Sequence, residues 1–373
     1  MRIFAAIAGC ILLLVVLIDG FDTIILTRRT RYMLQFGRIF YRVTWAPVSA
    51  LARKVQSGRT RENFLGIYGP LSLIALLTLW IAGLILSFGL LQWGSHMQPE
   101  HAQPTFANEL YFSATTLFTL SSGDPVNWAS KCLTALEGGL GLSMLGLVIG
   151  YLPVFYQSFS RRELAILLLS TQAGSPPSAA AFLASEDWKS YRLERVLMHW
   201  EKWSAELLEN QISYPMLAYF RSQHQSESWL TTLVAILDSV SVILSCGTEE
   251  IRPQAELTFA MSCHAMVDIA RVFWDDFPQP RNDRLSSDTF GRLQKTLPDR
   301  AGACLKMSEL SEEDVRDLRR LYEPYAEKLA QYFLMTLPEW APVSIEPNKW
   351  RPGKKSPHRR SFSVSDPFKT DRG

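Results

Sequence analysis

Between Gly66 and Ser95 the chain has no charged residue. A soluble helix of that length keeps a polar face, and the run exceeds the roughly 20 apolar residues that cross a bilayer. The stretch therefore reads as a transmembrane span. Lys and Arg are also missing from Met97 to Trp128, where the acids are Glu100, Glu109 and Asp124. Cysteine is scarce. Cys10, Cys132, Cys246, Cys263 and Cys304 show no paired spacing, which excludes a disulfide framework or a Cys-based zinc motif and predicts reduced, structural thiols. Alternating strand patterns and βαβ units are lacking too. Gly139-x-Gly141 lies inside an apolar run with no strand before it, so it is no dinucleotide site. His264 and Asp268 share a helix face without a third ligand and, like His199, read as core hydrogen bonding. No nucleophile–base pair or metal constellation emerges, so neither an enzyme, a cofactor nor a nucleic-acid partner is expected.

What is present is asymmetric. Of the 373 residues 47% are hydrophobic, and they are denser in the first 160 positions than in the rest. Phe4 to Leu26 is apolar apart from Asp19 and Asp22. A single Arg2 before it and no small-x-small site before Asp19 argue for an uncleaved span over a signal peptide. Val126 to Phe159 is a third span, interrupted only by Lys131 and Glu137. The connector from Arg28 to Glu62 holds nine Lys and Arg against one acid. Positive-inside bias places this connector in the cytoplasm of an inner (plasma) membrane, the stretch from 97 to 128 outside and the part after Arg161 and Arg162 inside. The N-terminus then faces out. In the connector, Met33, Phe36, Ile39, Phe40, Val43 and Trp45 alternate with Arg38 and Arg42. This describes either a basic amphipathic helix along the inner leaflet or a plain charged connector. Asp19 and Asp22 are placed to pair with Arg28 or Arg29.

After Arg162 the character changes. Gly174-Ser175-Pro176-Pro177-Ser178 is a break, followed by amphipathic helices. Ser185 reads as one cap, with Val196, Trp200, Trp203 and Leu207 behind it. Leu230 to Leu244 is apolar enough to suggest a fourth span, but it is barely long enough and carries Asp238. Pro253 opens another helix to about Phe277, and Ser311-Glu312-Glu313-Asp314 resembles a capping box. The residues after Leu337, rich in Pro, Ser, Lys and Arg, are expected to be disordered. The expected divisions are a first span (1–27), a basic connector (28–65), a unit of two spans with the stretch between them (66–162), a cytoplasmic helical bundle (163–337) and a basic tail (338–373).

The centre of the chain is Asn108 to Asp124, a short helix running into a Ser/Gly turn between two spans. Thr115-Thr116-Leu117-Phe118-Thr119-Leu120-Ser121-Ser122-Gly123-Asp124 resembles the pore-helix and filter signature of the potassium-channel superfamily, in which a Thr-rich helix runs into Thr-Val-Gly-Tyr-Gly-Asp. Thr116, Thr119, Gly123 and Asp124 match, and Leu120 stands for Val. Ser121 replaces the first filter glycine and Ser122 the aromatic. The resemblance spans roughly Gly66 to Arg162. It is to bacterial pore-loop channel proteins of the potassium-channel family, here with a divergent filter.

The resemblance implies an all-α membrane protein with three transmembrane helices, a re-entrant pore helix (107–118), a filter (119–124), an inner helix (126–160) and a cytoplasmic bundle. Backbone oxygens of Thr119, Leu120, Ser121, Ser122 and Gly123 would replace the hydration shell of a monovalent cation, with Asp124 at the outer mouth and Thr115 and Thr116 supporting from the helix. Serine in place of glycine at a left-handed position costs about 1 kcal/mol or more, so strict potassium selectivity is not expected. One pore loop per chain implies a homotetramer in the lipid bilayer. Glu137, deep in the third span, would bind cations in the cavity or hydrogen-bond behind the filter. Gly141 would be a gating hinge or a close-packing site. The competing class is a non-conducting membrane anchor whose helical bundle binds a protein partner.

Overall fold

The computed structural model describes residues 2–24, 36–55, 58–95, 105–120, 128–185, 188–222, 227–274, 284–297 and 304–342. Every named element among them is helical. The first half comprises α1 (Arg2–Ile24), α2 (Phe36–Lys54), α3 (Gly58–Ser95), α4 (Phe106–Leu117) and α5 (Trp128–Ala173). Helices α1 and α3 lie antiparallel and very close. A Cβ at Gly9 would stand 2.8 Å from the Ser87 carbonyl, and one at Gly94 would stand 2.9 Å from the Ala6 nitrogen. Small residues allow such approach in an apolar setting, where dispersion and not hydrophobicity holds helices together. At the other end of the pair, buried Asp19 accepts from the Trp80 indole at 2.9 Å and from the Gly37 amide at 3.1 Å. It thus meets the N-terminal end of α2, where a helix favours negative charge. The expected partners Arg28 and Arg29 lie outside the described residues.

Two element bounds differ from expectation. Helix α3 starts at Gly58, so the last residues of the 28–65 connector are already its first turns. Helix α5 runs on to Ala173 instead of stopping near 160. Nothing between Phe159 and Ala173 breaks a helix, and Pro153 is tolerated inside it. The stop comes at Gly174, whose φ of 83° is left-handed, with Pro176 just beyond.

The second half contains α6 (Ala179–Ala184), α7 (Ser190–Ser213), a 3-10 turn (Pro215–Tyr219), α8 (Trp229–Cys246), α9 (Arg252–Phe273), α10 (Ser287–Thr296), α11 (Glu312–Arg320) and α12 (Glu323–Phe333). Four helices (α1, α3, α5 and α8) are long and apolar enough to cross a membrane, but 89% of α8 is buried inside the fold, leaving it no face for lipid. It is the core of the helical half. Asp238, fully buried on it, takes two N–H groups of Arg284 at 3.0 and 3.2 Å and the Tyr322 hydroxyl at 2.6 Å. Arg284 also donates to Glu323 at 2.6 Å and lies over the Trp340 ring. Burial opposes the charge on Arg284, but Asp238 and Glu323 outweigh it and hold its guanidinium above the ordinary value. Ser311 caps α11 by accepting from the Asp314 amide at 3.3 Å. Ser185 does not cap α7: it follows α6, and α7 begins at Ser190 after Lys189. His264 contacts Asp268 at 3.1 Å, yet on an exposed surface and not in the core. The tail from 343 lies outside the described residues.

The halves are joined through aromatic packing and one buried arginine. Arg162 on α5 donates to the carbonyls of Leu217 and Phe220, each at 2.8 Å, and pairs with Glu163 at 3.1 Å. Tyr219 stacks on Tyr41 at 5.0 Å, packs against Trp45 and Tyr68, and shares a 3.0 Å hydroxyl contact with Tyr332. Trp45 donates to the Tyr332 carbonyl at 3.0 Å. The Tyr41–Trp45 face of α2 is therefore taken by protein, while Ile39, Arg42 and Val43 remain exposed.

Candidate functional site

Helix α4 has 12 residues, about 18 Å, and cannot cross a hydrocarbon core of about 30 Å. It lodges between α3 and α5. The Trp93 and Phe106 rings lie 5.6 Å apart, a Cβ at Gly89 would stand 3.3 Å from Leu110, and the Ser113 hydroxyl oxygen lies 2.9 Å from the Ile85 carbonyl oxygen. Glu109 is buried in the first turn, where the helix end favours an acid.

The C-terminal end of α4 is closed by a double backbone link. The Leu120 amide bonds the Thr115 carbonyl at 2.7 Å, and the Thr119 amide bonds the Thr116 carbonyl at 2.9 Å. This is the 6→1 and 5→2 pattern that ends many helices around a left-handed residue. Here that residue is Thr119, with φ 57°. Left-handed backbone costs a non-glycine residue about 1–2 kcal/mol, and strain of this kind gathers at functional sites.

Glu137 sits one helix behind. It is fully buried, with Oε2 accepting from the Gln92 amide at 2.8 Å and Oε1 from the Ser113 hydroxyl. One carboxyl thus ties α5 to both α3 and α4, satisfying a polar group that would be expensive at that depth. The carboxyl is enclosed among α3, α4 and α5 of one chain. One turn on, a Cβ at Gly141 would fall 2.1 Å from the Leu117 carbonyl oxygen. Backbone meets backbone there, and only glycine fits.

Thr115 and Thr116 are buried, and the Thr115 hydroxyl bonds back to the carbonyls of Tyr111 and Phe112 at 3.0 and 2.9 Å. Thr119 and Leu120 are exposed at the end of α4. Ser121, Ser122, Gly123 and Asp124 lie outside the described residues. Two contributors escaped the sequence reading. Gln92 and Ser113 look like ordinary polar residues in apolar surroundings, and their only signal is a polar group at a depth where another, Glu137, needs a partner. The left-handed Thr119 has none, because β-branched residues are the least expected there.

Residues 73–158 match the family model described as "Ion channel". No curated protein and no solved structure matches the chain. The matched segment begins within α3, contains all of α4 and ends in α5 before Arg162. It leaves out α1, α2 and the helical half. Residues 73–158 are therefore similar to an ion-channel domain, carried on a multi-pass membrane chain whose named elements among the described residues are all helical.

Proposed function

We propose that the chain is one subunit of a homotetrameric cation channel, potassium-permeable but weakly discriminating, that conducts through the turn from Thr119 to Asp124. In this reading α1, α3 and α5 span the membrane, α4 is re-entrant from the outer side, and the helical half lies in the cytoplasm. The observation that carries it is the setting of α4 within the matched segment. A helix too short to span ends in a strained turn, and Glu137 and Gly141 hold it from behind. Non-helical backbone at membrane depth is tolerated where protein buries it or where it lines a wet cavity. The partial negative charge at the C-terminal end of α4 favours cations, and Asp124 adds one carboxylate per subunit. Ser121 and Ser122, in place of a glycine and an aromatic, weaken the match between carbonyl positions and a dehydrated potassium ion.

Oligomerisation has its own support. Only 6% of the most apolar stretch of α5 is buried in one chain, and a filter built on backbone oxygens needs further copies around it. The test is ion flux into liposomes holding the purified protein, compared with Gly123→Ala and Asp124→Asn. Flux that both variants leave unchanged does not pass through this turn. Absence of flux leaves a membrane anchor acting through its helical half.

A further inference from the structure

Helix α2 has two faces. On one, Tyr41, Trp45, Ser49 and Ala52 recur every three or four residues and are buried. The two aromatics pack on Tyr219 of the 3-10 turn, and Trp45 also bonds the Tyr332 carbonyl of α12. On the other face Arg38 and Arg42 stand one turn apart, beside Ile39 and Val43. All four are exposed, Val43 at 64% and Ile39 at 51%. The helix contains no Asp or Glu, and Arg53 and Lys54 end it.

The contacts of α2 fix its depth. Gly37 lies at Asp19, which also holds Trp80, and the Thr44 hydroxyl lies 2.8 Å from that of Tyr68. The helix therefore descends along α3, from the level of Trp80 toward that of Tyr68, and does not lie flat along the leaflet. The far end of the α1–α3 pair is marked by Gly94, packed on Arg2. At 1.5 Å per residue, a hydrocarbon core of about 30 Å measured inward from Gly94 ends about 20 residues on, near Ile74. Arg38 and Arg42 fall between the two contact levels, so they bracket that boundary at the depth of lipid phosphates. Exposed arginines in water are ordinary, but here isoleucine and valine share their face where water gives way to acyl chain. Arginine suits such a boundary, because its stem lies along apolar groups while the guanidinium meets a phosphate with two parallel hydrogen bonds. We infer that the Arg38–Arg42 face of α2 binds an anionic phospholipid, its phosphate held by the two guanidinium groups and an acyl chain lying along Ile39 and Val43. Because the opposite face carries the Tyr219 packing, a lipid held here bears on the junction between the halves. The site rests on the membrane topology proposed above and not on conduction.

Lipid-selective quenching in vesicles tests it. Val43→Cys carries a bimane fluorophore in full-length protein with the exposed Cys10 and Cys132 replaced by serine. Met198→Cys, exposed on α7, is the control, and labelling of the parent chain is subtracted. Vesicles of phosphatidylcholine receive brominated acyl chains either on added phosphatidylglycerol or on an equal fraction of phosphatidylcholine. The expected result is quenching at 43 about threefold stronger by the anionic lipid, with none at 198. Arg38→Gln with Arg42→Gln should remove that excess, and Arg38→Lys with Arg42→Lys, which keeps both charges, should retain most of it. No quenching at 43, or equal quenching by the two lipids, overturns the site. So does an excess that the double Gln variant keeps, or one that soluble glycerol phosphate abolishes, since the site would then take phosphate and not lipid. Flux is read on the same vesicles. Lipid selectivity without flux keeps the site and removes the pore reading, and flux without selectivity does the reverse.

Discussion

Replacing Gly141 with alanine probes the contact between the inner helix and the end of α4. The added methyl would lie 2.1 Å from the Leu117 oxygen, 3.0 Å from its carbonyl carbon and 3.3 Å from its Cα. A relaxed carbon–oxygen contact sits near 3.3 Å, so α4 and α5 must part by about 1 Å. Both sides of the contact are backbone, and no rotamer change can relieve it. Overpacking of this kind costs about 1–3 kcal/mol, partly offset by the roughly 0.5–1 kcal/mol that alanine gains over glycine in a helix. A net loss of about 1–2 kcal/mol follows, and the displaced Leu117 adjoins the turn proposed to conduct. Gly20→Ala on α1, where a Cβ meets nothing within 4 Å, is the control. Thermal unfolding of the detergent-purified protein should drop by a few degrees for Gly141→Ala and hold or rise for Gly20→Ala, with flux falling only in the first. Parallel behaviour of the two variants would refute the close contact.

Glu137→Leu removes the acceptor of the buried Gln92 amide while Ser113 keeps the Ile85 carbonyl, so a loss of about 1–3 kcal/mol is expected in the same melt, with Glu137→Gln recovering part of it. Arg284→Met leaves Asp238 charged and unpaired in the core of the helical half. It should destabilise by about 3–5 kcal/mol, and Asp238→Leu in the same chain should restore much of that loss. Thr119→Gly removes left-handed strain and should raise the melting temperature of the detergent-solubilised protein; no rise would place Thr119 in ordinary backbone. Burial holds the Cys263 thiol up at about 12, against an ordinary 9.0. Between those values the folded chain binds more protons than the unfolded one, so stability should fall as pH climbs from about 9 toward 12. Cys263→Ala should flatten that decline between melts at pH 8 and 10.5.

The long uncharged run in α3 and the Thr-rich segment ahead of Gly123 announced a membrane chain with a short helix between spans, because hydropathy and local propensity act within a single segment. Asp238 marked α8 as a core helix, and its pairing with Arg284, 46 residues away, is what makes that acid tolerable. The continuation of α5 to Ala173 was not legible, since Arg161 and Arg162 read as the end of a span and only Gly174 truly stops the helix. Nor was the fit of Gly141 on Leu117, because a glycine in an apolar helix looks the same whether it bends or makes room. The Glu137 network depends on three helices meeting, and no window of sequence contains all three partners.

The most direct test of the central claim is the reversal potential of purified protein in planar bilayers under opposed sodium and potassium gradients. The account expects a cation current with only modest preference for potassium, strongly reduced by Gly123→Ala and Asp124→Asn. An anion-selective current, or a cation current indifferent to both substitutions, would contradict it.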